Sequence, residues 1–222
     1  MKIGDYELGY GRRPAICAEI GAAHNGNLET ALNLLEVAKQ AGADFCKIQC
    51  FTPETITFDS NRDEFIIKDG PWKGKRLYEL YTQAHMPRTW FPVLFAKAWQ
   101  LEIPLFASVF SLEDLDFIKQ FEPPAYKIAS CELVDSGLIK TVANEGRPMI
   151  LSTGMASNDE IFSAAEDIFG ENPKPQSGRR HHSANPNNVI FLHCIAEYPA
   201  KVEWSSMGSL RNLQMQFSYV GL

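Results

Sequence analysis

The chain has 222 residues, of which 45% are hydrophobic and 22% are charged, and its formal net charge is −6. This length predicts one domain with a sizeable core, and the acidic balance argues against a nucleic-acid surface. The chain has no apolar run of about 18 residues, and residues 1–5 lack the apolar core of a signal peptide, so we expect a cytoplasmic protein without a membrane segment.

Short apolar runs alternate with segments of helical periodicity along the chain. The predicted strands are residues 15–20, 45–49, 104–108, 125–128, 149–151 and 189–193, and the predicted helices are residues 28–41, 88–100, 112–120, 136–144, 159–169 and 205–216. A β-α-β-α series of this kind forms a parallel sheet, either closed into an eight-stranded barrel or open and doubly wound. No Gly-x-Gly-x-x-Gly motif follows the first strand, so a dinucleotide-binding fold lacks its usual fingerprint.

Two connections are longer than is usual between strands and helices. Residues 52–87 mix proline and glycine with aromatic residues, which predicts an ordered excursion over the pocket. Residues 170–188 are rich in proline, asparagine, serine and basic side chains, which predicts a mobile loop on the face opposite the catalytic end. The five cysteines form no Cys-x-x-Cys pair, and we expect them to be reduced and mostly part of the core.

The number of strands predicts an incomplete barrel. A complete (β/α)8 TIM barrel needs eight strand–helix units and about 250 residues. Six units are recognisable here, and a seventh strand would only begin at residues 219–222. We therefore predict an α/β fold in which residues 1–222 form one partial barrel domain with about six units.

Two lysines lie inside apolar runs, at Lys47 and Lys127. A charged side chain is costly there unless it leaves the strand end or has a partner, so the pair predicts an anionic ligand. Structural ion pairs to Glu19 or Glu132 are the alternative interpretation. A third interpretation is a Schiff-base aldolase, in which Lys127 or Lys47 acts as the nucleophile.

Other polar side chains follow the same strands. Ser130 and Ser152 could donate hydrogen bonds to phosphate or carboxylate oxygens, although serine after a strand is commonly a turn or N-cap residue. Glu19, Gln49 and Glu132 suit a polyhydroxylated substrate or acid–base chemistry, and salt bridges to the lysines are their alternative role.

Two histidines lie close to predicted strand ends. His24, in His24-Asn25-Gly26, fits a turn better than a pocket position, and His193 fits a buried core residue better than a metal ligand. No second histidine occupies a matching strand end, so the sequence predicts no complete metal site.

Five motifs, in order along the chain, resemble the sialic acid synthase family. They are residues 18–26 (AEIGAAHNG), 46–49 (CKIQ), 126–130 (YKIAS) and 151–155 (LSTGM), and the segment from His193-Cys194 to Tyr198-Pro199. The resemblance implies a (β/α)8 barrel that condenses phosphoenolpyruvate with an N-acylated amino sugar, such as N-acetylmannosamine, and releases phosphate. It also implies a divalent metal, manganese or magnesium, which polarises the sugar aldehyde, and a homo-oligomer.

The resemblance also assigns roles to particular residues. Glu19 and Lys127 are the implied catalytic residues. Lys47, Ser130 and Ser152 are implied to bind phosphoenolpyruvate together with Lys127. Gln49, Glu132 and Tyr198 are implied to face the sugar together with Glu19.

Three departures from the family pattern are visible. Ser108-Val109-Phe110 stands where the family commonly has Ser-Thr-Pro-Phe, and Ala196 stands where the family usually has an asparagine or serine two positions after His-Cys. The family's metal-binding histidines and its antifreeze-like domain lie beyond the last residue of this chain. We therefore expect a fragment or truncation that does not close its barrel or bind metal tightly; a related 3-deoxy sugar acid synthase and a non-catalytic binding or assembly module are the alternatives.

Overall fold

The computed structural model describes residues 1–170, 188–196 and 200–222. The chain divides into two compact units. The continuous unit comprises residues 15–123, and the split unit combines residues 1–14 with residues from 124 to 222.

The described residues form nine strands and eight α-helices. In chain order they are β1 (Lys2–Ile3), β2 (Tyr6–Glu7), β3 (Cys17–Glu19), α1 (Leu28–Gln40), β4 (Phe45–Cys50), α2 (Pro53–Ile56), α3 (Leu77–Ala84), α4 (Phe91–Gln100), β5 (Leu105–Val109), α5 (Leu112–Lys119), β6 (Tyr126–Ile128), α6 (Ser136–Asn144), β7 (Met149–Ser152), α7 (Asn158–Phe169), β8 (Val189–Leu192), α8 (Met207–Gln216) and β9 (Val220–Gly221). Short 3-10 helices occur at Asp63–Phe65, Arg88–Trp90, Cys131–Val134 and Val202–Trp204.

In the continuous unit, β3, β4 and β5 pair in parallel and in chain order. The helix between β3 and β4 follows from local sequence signals. The Asn27 side chain accepts a hydrogen bond from the Thr30 N–H at 2.9 Å and caps the start of α1. Gly42, with φ of 85°, lies just beyond its end, where a left-handed residue stops the helix.

In the split unit, β6 to β9 also pair in parallel and in chain order. Lys127 lies opposite Ile150, and Ser152 lies opposite Leu192. Helix α7 begins with a capping box, in which the Ser157 hydroxyl accepts from the Glu160 N–H and the Glu160 carboxylate accepts from the Ser157 N–H.

Burial alternates along most of β4 and separates its two faces. In β4, Cys46, Ile48 and Cys50 are buried, whereas Lys47 and Gln49 are partly exposed. Since successive side chains of a strand point to opposite faces, Lys47 and Gln49 share the partly exposed face. The strand therefore places its two polar side chains together, away from the buried layer.

The predicted elements are confirmed, with boundaries that differ by three residues at most. Residues 52–87 are ordered as expected, since they contain α2, a 3-10 helix and α3. The prediction for residues 170–188 lies almost wholly outside the described residues. No helix in the described part of the chain is long and apolar enough to cross a membrane.

One expectation was wrong for two cysteines. Cys46 and Cys50 are buried, but Cys17 and Cys131 are exposed. Cys17 lies in the sparsely covered strand β3, and Cys131 begins the 3-10 helix that follows β6. A cysteine in or near a strand is therefore not sufficient evidence of a core position in this chain.

Candidate active site

Strand β6 in the split unit holds a buried lysine, Lys127. Lys127 is buried, with only 6% of its surface exposed. Its Nζ donates hydrogen bonds to the Ser152 Oγ at 2.6 Å and to the Ile128 carbonyl oxygen at 2.7 Å. Strands β6 and β7 pair side by side, so Lys127 and Ser152 come into contact although they are 25 positions apart in the sequence.

Ser130 and Ser152, the two serines predicted to bind phosphoenolpyruvate, both accept hydrogen bonds from the protein. Ser130 Oγ accepts from the Gly154 N–H at 3.1 Å. Ser152 Oγ accepts from Lys127 and lies 3.2 Å from the Cys194 Sγ, which acts as its second donor. Within the described residues, neither serine hydroxyl has an acceptor for its own proton, so each hydroxyl can still donate one hydrogen bond.

Glu132 lies just beyond Ser130, in the 3-10 helix Cys131–Val134. Its Oε2 is buried and has no hydrogen-bond partner within the described part of the chain. Burial raises the pKa of the Glu132 carboxyl, an effect opposed by its own backbone N–H and by the Lys127 charge and supported by the charge of Asp135. The neutral, protonated form of Glu132 is therefore more favoured in this environment than it would be in water.

The continuous unit contains the other predicted lysine. Lys47 forms an ion pair with Glu19 and donates a hydrogen bond to the Ser108 Oγ at 3.1 Å. The ion pair that the sequence offered as an alternative role for Lys47 is therefore present. Gln49 lies opposite Ser108 in the paired strands β4 and β5. This unit brings together a lysine, a carboxylate and a hydroxyl at its strand ends.

The two histidines take different positions. His24 is fully buried and its Nδ1 accepts a hydrogen bond from the Gly26 N–H at 3.0 Å, in agreement with the predicted turn. His193 is only partly buried, although its Nε2 is buried without a hydrogen-bond partner among the described residues. Tyr198, predicted to face the sugar, lies outside the described residues.

A metal site does not occur within the described ranges. No group of three or more His, Cys, Asp or Glu side chains in residues 1–170, 188–196 and 200–222 is arranged to hold a metal ion. These residues therefore do not fit the divalent metal implied by the family resemblance.

The structure brings together some of the predicted site residues and adds others. It joins Lys127 to Ser152 within the split unit, and Glu19 to Lys47 within the continuous unit. Sequence reasoning assigned no ligand-binding or positioning role to Gly154, Cys194 or Ser108. Gly154 and Cys194 lie within the quoted motifs, but their contacts depend on strand register and loop geometry rather than on spacing.

Comparison with known proteins matches the chain to one family. A profile described as the NeuB family matches residues 34–222. The chain is 39% identical over 223 residues to pseudaminic acid synthase of Campylobacter jejuni subsp. jejuni, covering 100% of this chain and 61% of that protein. It is 29% identical to N,N'-diacetyllegionaminic acid synthase of the same subspecies, covering 93% of this chain and 58% of that protein. The chain spans about three fifths of the length of these relatives.

Solved structures show the same fold. The N-acetylneuraminic acid (sialic acid) synthetase from Leptospira borgpetersenii serovar Hardjo-bovis aligns with a TM-score of 0.80 at 25% identity, covering 100% of this chain and 68% of that chain. A phospho-2-dehydro-3-deoxyheptonate aldolase from Thermotoga maritima aligns with a TM-score of 0.66 at 12% identity, which shows the fold alone. These likenesses confirm the predicted α/β fold of the TIM-barrel type with fewer than eight strand–helix units.

Proposed function

The chain belongs to the NeuB family, as the sequence motifs predicted, and from this membership we propose that the protein is a nonulosonic acid synthase. In this proposal, phosphoenolpyruvate condenses with an N-acylated amino sugar to form a nine-carbon acid, and phosphate is released. The profile match over residues 34–222 supports the reaction class. The arrangement at the strand ends of the split unit supports an anionic donor substrate.

The observation that carries the proposal is the pair formed by Lys127 and Ser152. A buried ammonium group donates to a serine hydroxyl at 2.6 Å, and that hydroxyl keeps its own proton for a ligand. Ser130 is arranged in the same way by the Gly154 N–H. A cation and two directed hydroxyl donors match the phosphate or carboxylate oxygens of phosphoenolpyruvate, and charge-assisted hydrogen bonds of this kind are the stronger ones.

The proposed reaction forms a carbon–carbon bond between the methylene carbon of phosphoenolpyruvate and the sugar aldehyde carbon. The aldehyde oxygen takes up a proton, and water adds to the phosphate-bearing carbon, which has become cationic, and loses a proton. The bond from that carbon to the phosphate oxygen then breaks, and the new hydroxyl loses its proton to form the carbonyl as phosphate leaves. Lys127, Ser130 and Ser152 would hold the donor in place while this charge moves. Glu132, whose pKa is raised by burial, suits proton donation to the aldehyde oxygen.

Other assignments remain predictions from the family resemblance. Lys47 is expected to bind the donor, and Glu19, Gln49 and Tyr198 are expected to face the sugar. The single partial barrel domain over residues 1–222 and the cytoplasmic location remain predictions from the sequence pattern, and the homo-oligomer remains a prediction from the family resemblance. No step above runs through the implied metal, because the described residues do not form its site.

The names of the relatives favour a particular product. Identity is 39% to a pseudaminic acid synthase and 24% to an N-acetylneuraminate-9-phosphate synthase from Mus musculus. We therefore propose the acceptor that yields pseudaminic acid ahead of N-acetylmannosamine, which the motifs alone had favoured. Phosphate release measured with each acceptor in turn distinguishes the two products.

The proposed donor site is tested by Lys127→Met beside Lys140→Met. Lys140 is an exposed lysine of the same unit that pairs with Asp167 at 3.0 Å, so its replacement controls for loss of one positive charge. We expect Lys127→Met to raise the Kd for phosphoenolpyruvate about 100-fold, because it removes a charge-assisted contact, and Lys140→Met to leave it unchanged. Equal donor affinity in both variants would contradict the assignment.

A further inference from the structure

Two residues outside the predicted site contact its two serine hydroxyls. The Gly154 N–H donates to the Ser130 Oγ at 3.1 Å, and the Cys194 Sγ lies 3.2 Å from the Ser152 Oγ. We propose that Gly154 and Cys194 are positioning residues, which hold each hydroxyl as an acceptor so that its proton is directed to the donor anion. This inference rests on the proposed function, because it concerns the same anion site.

Gly154 is required for space rather than for its backbone conformation. A Cβ built at this position would lie 2.8 Å from the Ser130 Oγ, 3.3 Å from the Cys194 carbonyl oxygen and 3.4 Å from the Ala196 Cβ. Its φ lies outside the left-handed region, so alanine is compatible with the backbone itself. The Ser130 hydroxyl is the closest of these neighbours and the one that can rotate away. An alanine at this position would therefore turn the hydroxyl out of its orientation.

Cys194 acts on the other serine through its thiol. A hydroxyl oxygen has two lone pairs, and those of Ser152 are occupied by the Lys127 ammonium and the Cys194 thiol. With both lone pairs occupied, the hydroxyl proton of Ser152 is left to donate. Removing the thiol frees one lone pair, so water can donate to it and the hydroxyl can rotate. A serine at position 194 would restore a donor, whereas an alanine would not.

The role of Gly154 is tested by a double-mutant cycle with Ser130→Ala. The measurements are the KM and kcat for phosphoenolpyruvate and the Kd for inorganic phosphate. We expect Gly154→Ala to raise the KM and the Kd about tenfold, with kcat changing less than about twofold. In the Ser130→Ala background the same change should add less than about twofold, because the oxygen that it displaces is gone. If Gly154→Ala raises the KM and the Kd by the same factor with and without Ser130→Ala, the role of Gly154 is overturned.

A matched glycine provides the control. Gly137 lies in the exposed first turn of α6, where an added Cβ would meet only the Asp135 Oδ1 at 3.4 Å. Gly137→Ala should leave the KM and the phosphate Kd unchanged. An equal rise in both glycine variants would show a general effect of the substitution and overturn the proposal.

Cys194 supplies a test that does not depend on the folding of Gly154→Ala. We expect Cys194→Ala to raise the KM for phosphoenolpyruvate about fivefold, and Cys194→Ser to remain within about twofold of the wild-type value. If serine is no better than alanine, the thiol acts only by packing and its positioning role is wrong.

Failure of the proposed function gives a different result. Wild-type protein that binds inorganic phosphate but releases none from phosphoenolpyruvate would overturn the synthase assignment, while the phosphate Kd values would still decide the roles of Gly154 and Cys194. Wild-type protein that binds neither anion would overturn both proposals.

Discussion

Burial shifts the pKa of individual side chains in both units. It raises the pKa of the Asp114 carboxyl, an effect that hydrogen bonds from Ser111 and Arg88 oppose, and it raises the pKa of Glu132. It lowers the pKa of the His24 imidazole. In all three cases desolvation is the largest cause, since it disfavours the charged form. The neutral forms of these residues are therefore favoured relative to water.

His24 gives a stability prediction that depends on pH. Its ring is fully buried and packs edge-on against Trp90, with 5.3 Å between ring centroids. Burial lowers its pKa below the ordinary 6.5, the backbone of Ala84 partly offsets this, and the charge of His85 lowers it further. Because the unfolded chain then binds a proton that the folded chain lacks, the His24 contribution is complete above pH 6.5 and is lost as the pH falls through the folded pKa.

Urea denaturation between about pH 7.5 and about pH 5, on wild type and His24→Gln, measures this contribution. The variant should be less stable at the higher pH and should lose less of its free energy of unfolding as the pH falls. Asp114 and Glu132 have raised pKa values, so their contributions change in the opposite direction, and they are common to both proteins. Parallel pH profiles for wild type and His24→Gln would refute the assignment.

At the scale of helices and strands, the sequence predicts the elements that carry local signals. Asn27 and Gly42 mark the ends of α1, and Ser157 with Glu160 marks the start of α7. The β1–β2 hairpin was missed, because two-residue strands show no periodicity. Elements that are defined only by pairing with another segment are therefore the ones that the sequence does not predict.

The start of α5 gives a prediction about packing between elements. Arg88 donates to the Asp114 Oδ1 at 3.1 Å and to the Glu113 Oε1 at 2.7 Å, and Asp114 is completely buried. Arg88→Met would leave the Asp114 carboxylate buried without its cation. We expect the free energy of unfolding to fall by about 3 kcal/mol.

The same denaturation experiment includes two comparison proteins. Adding Asp114→Asn to Arg88→Met should recover part of the loss, because the remaining polar group is then neutral. Lys119→Met removes a surface pair with Asp116 and should change stability by less than about 0.5 kcal/mol. If Arg88→Met costs no more than Lys119→Met, the network at α5 does not stabilise the fold.

For the whole molecule, the sequence could predict the order of strands and helices and the family. It could also place Lys127 inside one apolar run and Ser152 at the end of the next. Their mutual hydrogen bond could not be predicted, because it depends on the register of β6 against β7. Likewise, the contact between Gly154 and Ser130 depends on how two loops pack, which no periodicity encodes.

Burial differs between the strands, which predicts a gradient of hydrogen-exchange protection. All residues of β5, β6 and β7 are buried, whereas Cys17 and Glu19 of β3 are exposed and both residues of β9 are partly exposed. Exchange by local opening is faster where few apolar contacts are lost, even when the amides are hydrogen-bonded. Amide exchange followed by mass spectrometry, corrected for intrinsic rates, should therefore be slowest in β5, β6 and β7. Equally slow exchange in β3 and β9 would mean that these strands are covered in solution, and would contradict the exposure seen here.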